Sequence, residues 1–463
     1  MSTSLRGAAT TNLRVTIGTP GESTQFTVET SHWSYNDTVT YGSPVVVDLP
    51  SELEVTGSDY SNRHKAVHIF SQSRQPIFVL GENFIVFNHA TFQAYPHQSI
   101  EGIFSYEYLI ISAYDRTDNF RSEFLLVGCE NDTVITIVPS LSVSLPEDPQ
   151  LSNSNTTNVE ADTSSYQFIL HRMQTLLVLH DDDLTGTNIV ATKPLTVIGG
   201  HECASQLGIL DGNHYSDRYS GCEPLVYQVP PTATWGTRFL VAHINRGRLE
   251  IKGAMLYSDD ISITCGRDNS SYVHGPFYLG IPIGFAFDLF TYERHCYLES
   301  SVPTFVTQSY GEKYDQGDPG YTMTPPVNHY VHEIDFISLP SKEFPSNYIS
   351  VTVSVEHFNP DSILLDGASI DCRWRKIYNH TYNDQDIVGY QCNKDVSSGA
   401  TMPTQHRVNH SDPNGLLSVV AFGFSTSPSR GYAYLTGQVL KIGIAITIVS
   451  AHIKFYSIFG IFR

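Results

Sequence analysis

The stretch that decides the fold runs from Leu184 to Val241. It opens as LTGTNIVATKPLTVIGGHEC (184–203), crosses a polar loop, and resumes as GCEPLVYQVPPTATWGTRFLV (221–241). Asn188-Ile189-Val190 and Leu195-Thr196-Val197-Ile198 are rich in β-branched residues, which suit extended backbone. Pro194 has no N–H to give to a ladder, so it belongs at the first residue of the second run. Gly199-Gly200 ends that run where a side chain could not easily turn. Read locally, the stretch is strand, proline corner, strand, loop, strand, corner, strand.

The pattern recurs on both sides. HKAVHIFSQSRQPIFVLG (64–81), HCYLESSVPTFVTQ (295–308) and VNHSDPNGLLSVVAFGF (408–424) each carry a hydrophobic run, a polar bend, a Pro and a second run. The prolines are Pro76, Pro194, Pro303 and Pro413, spaced 118, 109 and 110 residues apart. The last copy is the weakest, because Asn414-Gly415 follows its Pro. Pro230-Pro231 and Pro325-Pro326 open a second repeated element, and ENDTVITIV (130–138) and SDDISITC (258–265) a third. Three kinds of element in the same order argue for internal repetition rather than composition.

The expected fold is all-β, a tandem array of antiparallel β-sandwich-like units of about 110 residues each. Its expected divisions are 12–83, 84–223, 224–324 and 325–438, followed by an apolar tail over 439–463. The alternative is a β-propeller with two blades of about 45–50 residues per unit. That reading requires finer repetition at half the spacing, which the sequence does not show. No window holds the i, i+3, i+4, i+7 spacing of an amphipathic helix.

Charge narrows the partners. A formal net charge of −20, with only 16% charged residues, argues against nucleic acid or an anionic membrane surface. The tail QVLKIGIAITIVSAHIKFYSIFGIFR (438–463) is apolar over 442–449 but is interrupted by His452 and Lys454. It reads as a membrane anchor, as a final buried strand pair, or as sequence unrelated to the domain. Lys454 would cost an anchor about 2.5–3.5 kcal/mol on insertion.

The N-terminus has no apolar core of a secretory signal, yet other features suit an oxidising compartment. Sequons stand at Asn36, Asn131, Asn155, Asn269, Asn379 and Asn409. Six of seven cysteines form sequence neighbours: Cys203 with Cys222, Cys265 with Cys296, and Cys372 with Cys392. Many other pairings of six cysteines are open; the neighbour pairing would close short loops, each contributing about 3 kcal/mol. Cys129 is left over and reads as a small buried hydrophobe. No C-x-x-C or H-x-x-H spacing points to zinc. The expectation is a secreted protein whose true start lies upstream.

The resemblance becomes specific over LTGTNIVATKPLTVIGGHECA, GC-x-PLVYQVPPTATWGTRFLV, GDPGYTMTPPV and VVAFGFSTSPSRGYAYLTG. Together these resemble the N-terminal domain of IgGFc-binding proteins, over roughly residues 60–438. The resemblance implies a non-enzymatic, extracellular, adhesive or mucus-associated module. The GDPG at 317–320 lacks the His of the GDPH cleavage motif in the von Willebrand type D modules of such proteins.

Candidate chemistry is thin. Asp181-Asp182-Asp183 with Asp211 lacks the spaced loop of a Ca²⁺ site and reads as an acidic turn. His201 beside Cys203 reads as a rim histidine next to a bridged cysteine, not as a nucleophile pair. No serine-nucleophile elbow, phosphate loop or dinucleotide fingerprint occurs. No catalytic residue, metal or cofactor is therefore assigned. The Tyr-rich loops 205–221 and 309–324 read as contact surfaces, with Tyr215, Tyr219, Tyr310 and Tyr314 as anchors. The expected function is binding of an extracellular protein or glycoprotein ligand, with a membrane met only through a C-terminal anchor. A carbohydrate-active enzyme using acidic loop residues is the alternative, and it requires two carboxylates facing each other across a cleft.

Overall fold

The computed structural model describes residues 12–53, 64–72, 75–84, 89–95, 106–112, 121–140, 165–204, 223–244, 248–255, 261–265, 274–280, 285–292, 295–310, 320–381, 384–426, 429–437 and 457–459. Among them are β-strands and short 3₁₀ turns, and no α-helix. The expected all-β, sandwich-like class holds, and the sheets close into neither a barrel nor a propeller.

The second unit displays the plan most fully. Its strands are β8 (Tyr106–Leu109), β9 (Ser122–Gly128), β10 (Thr133–Val138), β11 (Tyr166–Leu170), β12 (Thr175–His180), β13 (Asn188–Ala191), β14 (Leu195–Ala204) and β15 (Glu223–Gln228). They make two antiparallel sheets, in the orders β11-β10-β13-β8 and β12-β9-β14-β15. Lettered A to H along the chain, one sheet reads D-C-F-A and the other E-B-G-H. Ile135, Ile137, Leu170 and Ile189 of the first share a core with Phe124, Leu126, Val178 and Val197 of the second, as in a sandwich.

The same pairings recur. In the first unit β1 (Asn12–Gly18), β2 (Ser23–Glu29), β3 (Ser34–Thr40), β4 (Val45–Asp48), β5 (Val67–Ser71), β6 (Phe78–Phe84) and β7 (His89–Ala94) take positions B to H. β1 pairs with β4 and β6, β2 with β3 and β5, and β6 with β7. In the fourth unit β23 (Glu333–Ser338), β24 (Ser346–Ser354), β25 (Ile363–Leu365) and β26 (Ala368–Ser369) are A to D. There β28 (Asp384–Asp395), β29 (Thr404–His410), β30 (Leu417–Thr426) and β31 (Ser429–Leu435) are E to H, and an extra strand, β27 (Arg375–Thr381), pairs with E.

The third unit follows the plan with one fusion. β16 (Gly236–Val241), β17 (Arg248–Met255) and β18 (Ile261–Cys265) are A to C, and β20 (Phe285–Tyr292) is E, flanked by β19 (His274–Gly280). F and G are one strand, β21 (Cys296–Tyr310). Its first part pairs with β16 and β18, and its last part with β17 and β22 (Gly320–Met323), which is H.

Pro76, Pro194, Pro303 and Pro413 all fall between F and G. F and G belong to opposite sheets, so the chain changes partners there, and a residue without an N–H fits that change. Pro194 immediately precedes its G strand, Pro76 and Pro413 lie in the connection, and Pro303 bends β21 without interrupting it. The expected divisions at 83/84 and 223/224 fall inside β6 and at the start of β15. Pairing carries these units through H, to Ala94 and Gln228.

The four H strands bind the units together. β7 packs against β15 and β31, and β22 packs against the same two strands, so the four form a closed circuit. The E-B-G-H sheets thereby become inner sheets, covered on both faces. Leu125, Val127, Leu177, Leu179 and Ile198 of the second unit lie in the first unit's core, while the alternate residues fill their own. Ala254, Phe305 and Met323 of the third unit, and Val420, Phe422, Ala433 and Leu435 of the fourth, join the second unit's core. The β27–β28 hairpin lays Ile377 and Val388 over Leu240 and Tyr297 of the third unit.

Two of the three expected disulfides are formed, Cys265–Cys296 and Cys372–Cys392. Cys222 and the side chain of Cys203 lie outside the described residues. Cys129 is a buried free thiol, and burial pushes its pKa up to about 12. Among the described residues, no helix is long and apolar enough to cross a membrane. Most of the tail lies outside the described residues, but Ser457–Phe459 forms β32, paired with β5.

Candidate functional site

Titratable side chains gather at the seams between units. Where the first unit meets the fourth, Arg14 of β1 places Nη2 2.7 Å from Glu82 Oε2 and 2.5 Å from Glu343 Oε2. Thr16 donates to Glu82 Oε1 at 2.8 Å, and His89 Nε2 lies 3.3 Å from Glu82 Oε2. Burial alone would raise the Glu82 pKa. His89 and the Arg14 guanidinium outweigh it and hold the carboxyl down at about 2. His89 is pushed towards its neutral form, chiefly by burial.

Glu82, His89 and Glu343 have donor atoms within 4.8 Å of one another, as a metal site would. Here the guanidinium already supplies the positive charge between the two carboxylates, with hydrogen bonds to both. Chemically the cluster is a buried ion network that registers two units. Nearby, Arg407 donates to Pro20 O at 2.8 Å, Gln405 to Thr19 O at 2.8 Å and Gly437 N to Gln93 Oε1 at 2.9 Å.

Where the third unit meets the fourth, His243 N donates to His295 Nδ1 at 3.0 Å, and Asn393 Nδ2 donates to His243 O at 3.3 Å. Burial, then the neighbouring His243 and Arg375, lower His295 to about 3, so it is neutral. In the second unit's inner sheet Glu123 is buried over Gly200. Burial, then the Glu202 carboxylate, push its pKa well up. Glu202 itself is paired with Arg121 at 3.1 Å.

These groups were not singled out in the sequence. The available signal was a charge inside an apolar strand: Arg14 in NLRVTIG, Glu82 in FVLGENF and Glu123 in SEFLLVG.

The residues that were singled out fare differently. Tyr310 is a correction: it is 2% exposed, and its hydroxyl donates to Tyr432 O of the fourth unit at 2.6 Å. It ends a G strand covered on both faces, so its ring pins the loop base instead of meeting a ligand. Gly320 begins H directly beneath it, and a Cβ there would come 2.3 Å from the Tyr310 ring. Residues 309–310 and 320–323, expected as loop, are strand. Tyr215, Tyr219 and Tyr314 lie outside the described residues, as do Asn155 and Asn269.

Asn36 and Asn131 are exposed, whereas Asn379 and Asn409 are half-buried in β27 and β29. His201, expected at a rim, is buried. Asp183 accepts from Thr185 N at 2.9 Å and Thr185 Oγ1 at 2.6 Å, as in an ordinary turn.

The two Tyr-rich loops turn out to be equivalent. Residues 205–222 join G to H in the second unit and 311–319 join G to H in the third. Their H strands, β15 and β22, pack against each other. Tyr95 N donates to Gln228 Oε1 at 2.8 Å and Gly437 N to Gln93, so β7, β15 and β31 end together.

A family profile described as IgGFc binding protein matches residues 75–420. The chain belongs to this family. The match runs from the first unit's G strand into the G strand of the fourth, taking in the two central units whole. The IgGFc-binding family is one of protein-binding modules rather than of enzymes, and disulfides are in keeping with its extracellular members. No curated protein and no solved structure matches the chain.

Proposed function

We propose that this chain is a non-catalytic, extracellular adhesive module that binds a protein or glycoprotein ligand through the G–H loops of its second and third units. The observation that carries the reading is the family membership, joined to the packing of β15 against β22 at the roots of those loops. Tyr215, Tyr219 and Tyr314 are the contact anchors, since tyrosine offers a large rigid area with a polar tip. Glycans at Asn36 and Asn131 would decorate exposed positions of the first two units. The buried titratable groups have no part in catalysis: Glu123 is enclosed in a sheet, and Glu82 and Glu343 are held by Arg14.

The test immobilises IgG Fc, and in a second arm purified mucin, and measures binding of wild type and of a Tyr215→Ala/Tyr314→Ala variant. A central anchor removed from an interface weakens binding about thirtyfold or more. Equal binding by a folded variant would move the surface away from these loops. Turnover of a glycan substrate by the wild type would overturn the non-catalytic reading.

A further inference from the structure

Three of the four sandwiches carry an A strand beside F. β8 lies on β13, β16 on the first part of β21, and β23 on β29, all antiparallel. The first unit's described strands take positions B to H, and the edge of its F strand, β5, is the place equivalent to A. In the structure that edge is covered. Val67, His68 and Ile69 are 0%, 2% and 1% exposed. A long apolar edge left open would be a template for pairing with any passing strand.

The occupant of that edge is β32. Ser457, Ile458 and Phe459 pair antiparallel with Ile69, His68 and Val67, on the edge that β2 does not use. We propose that the C-terminal segment is a donor strand: residues 457–459 take the A position beside the first unit's F strand and so tie that segment to the first unit. An independent contact agrees. Gly437 N hydrogen-bonds Gln93 Oε1 at the end of β7, so the chain leaves the fourth unit against the first. Nineteen residues then separate Gly437 from Ser457, a reach of up to about 60 Å when extended.

Composition agrees as well. FYSIFGIF (455–462) has the aromatic and β-branched residues of the other A strands, YEYL, GTRFLV and EIDFIS. On this assignment the apolar tail is structural, and the β5 edge is an acceptor for an extended apolar peptide.

The test uses the full chain in two forms. In Val67→Cys/Phe459→Cys, peptide mapping of the monomer after mild oxidation is expected to recover a 67–459 bridge within one chain. In Ile458→Pro, hydrogen exchange at amides 67–71 is expected to quicken at least tenfold while that of 188–191 stays unchanged. Unchanged exchange at 67–71, or a bridge found only between two chains, would overturn the assignment. Neither readout depends on the ligand, so the binding proposal and this one fail separately.

Discussion

Two strands of the second unit, separated by a four-residue turn, obey different rules. Every residue of β9, SEFLLVG, is buried, whereas β10, TVITIV, alternates buried and half-buried. The difference is the number of covered faces. β10 sits in an outer sheet with one face on the core, so its side chains alternate with the pleat. β9 sits in an inner sheet between its own core and the first unit's, so both of its faces are buried and, Ser122 and Glu123 apart, apolar. The inner sheets therefore hold the four-unit circuit together, while the outer sheets meet the surroundings. An unbroken apolar run in such a chain signals a doubly covered strand.

The sharpest way to break that comparison is to truncate one residue of each kind. Phe124→Ala, in β9, removes a fully buried ring and is expected to cost about 3–5 kcal/mol. Ile169→Ala, on the 53% exposed face of the outer strand β11, is expected to stay within about 0.5 kcal/mol. Urea unfolding of both variants checks this, and comparable losses would erase the distinction between the sheets.

Next in size is the ion network on the outward face of the first unit's inner sheet. Arg14→Met leaves Glu82 buried without its guanidinium and is expected to cost about 3 kcal/mol or more. The loss should shrink below pH 4.5. Glu82 has a folded pKa of about 2 against 4.5 unperturbed, so its contribution is full above 4.5 and fades as pH falls through 2. A loss that is the same at pH 7 and pH 3 would show that the Glu82 charge is not what Arg14 serves. Smaller again, Cys265→Ala/Cys296→Ala opens a bridge between two strands of an outer sheet. It is expected to remove about 2–4 kcal/mol, read as a lower melting temperature under non-reducing conditions only.

The sequence made the repeat legible because the F–G corner is a local event. One Pro between two β-branched runs marks each change of sheet, at Pro76, Pro194, Pro303 and Pro413. Two disulfides were legible for a similar reason, since their partners lie 31 and 20 residues apart. The circuit of H strands was not. It depends on contacts such as Arg14 with Glu343, 329 residues apart, which leave no periodic trace. Tyr310 was misread for the same cause. Its aromatic, Gly-flanked surroundings look like a binding loop, and the fourth unit's Gly423, Phe422 and Tyr432 turn it inward. The loops before β15 and β22 were legible as loops, but the contact between β15 and β22 was not.

The smallest expected effect concerns Glu123, the acid that breaks the apolar rule of the inner sheet. Its side chain lies on the same face of β9 as Leu125 and Val127, over the bare backbone of Gly200, and burial pushes its pKa well up. Its folded pKa stands well above 4.5, while in the unfolded chain it ionises near 4.5. Below pH 4.5 both states hold the proton and there is no penalty. As pH rises the unfolded chain gains the charge and the folded one does not, so stability falls until pH reaches the folded pKa. Each unit of difference corresponds to about 1.4 kcal/mol. Glu123→Gln removes this fall, so it should match the wild type near pH 4 and exceed it by about 1 kcal/mol or more at pH 8. Urea midpoints at the two pH values measure the difference. If the two proteins lose stability in parallel between pH 4 and pH 8, Glu123 is ionised in the folded state, and the inner sheet admits a charge that its double covering should exclude.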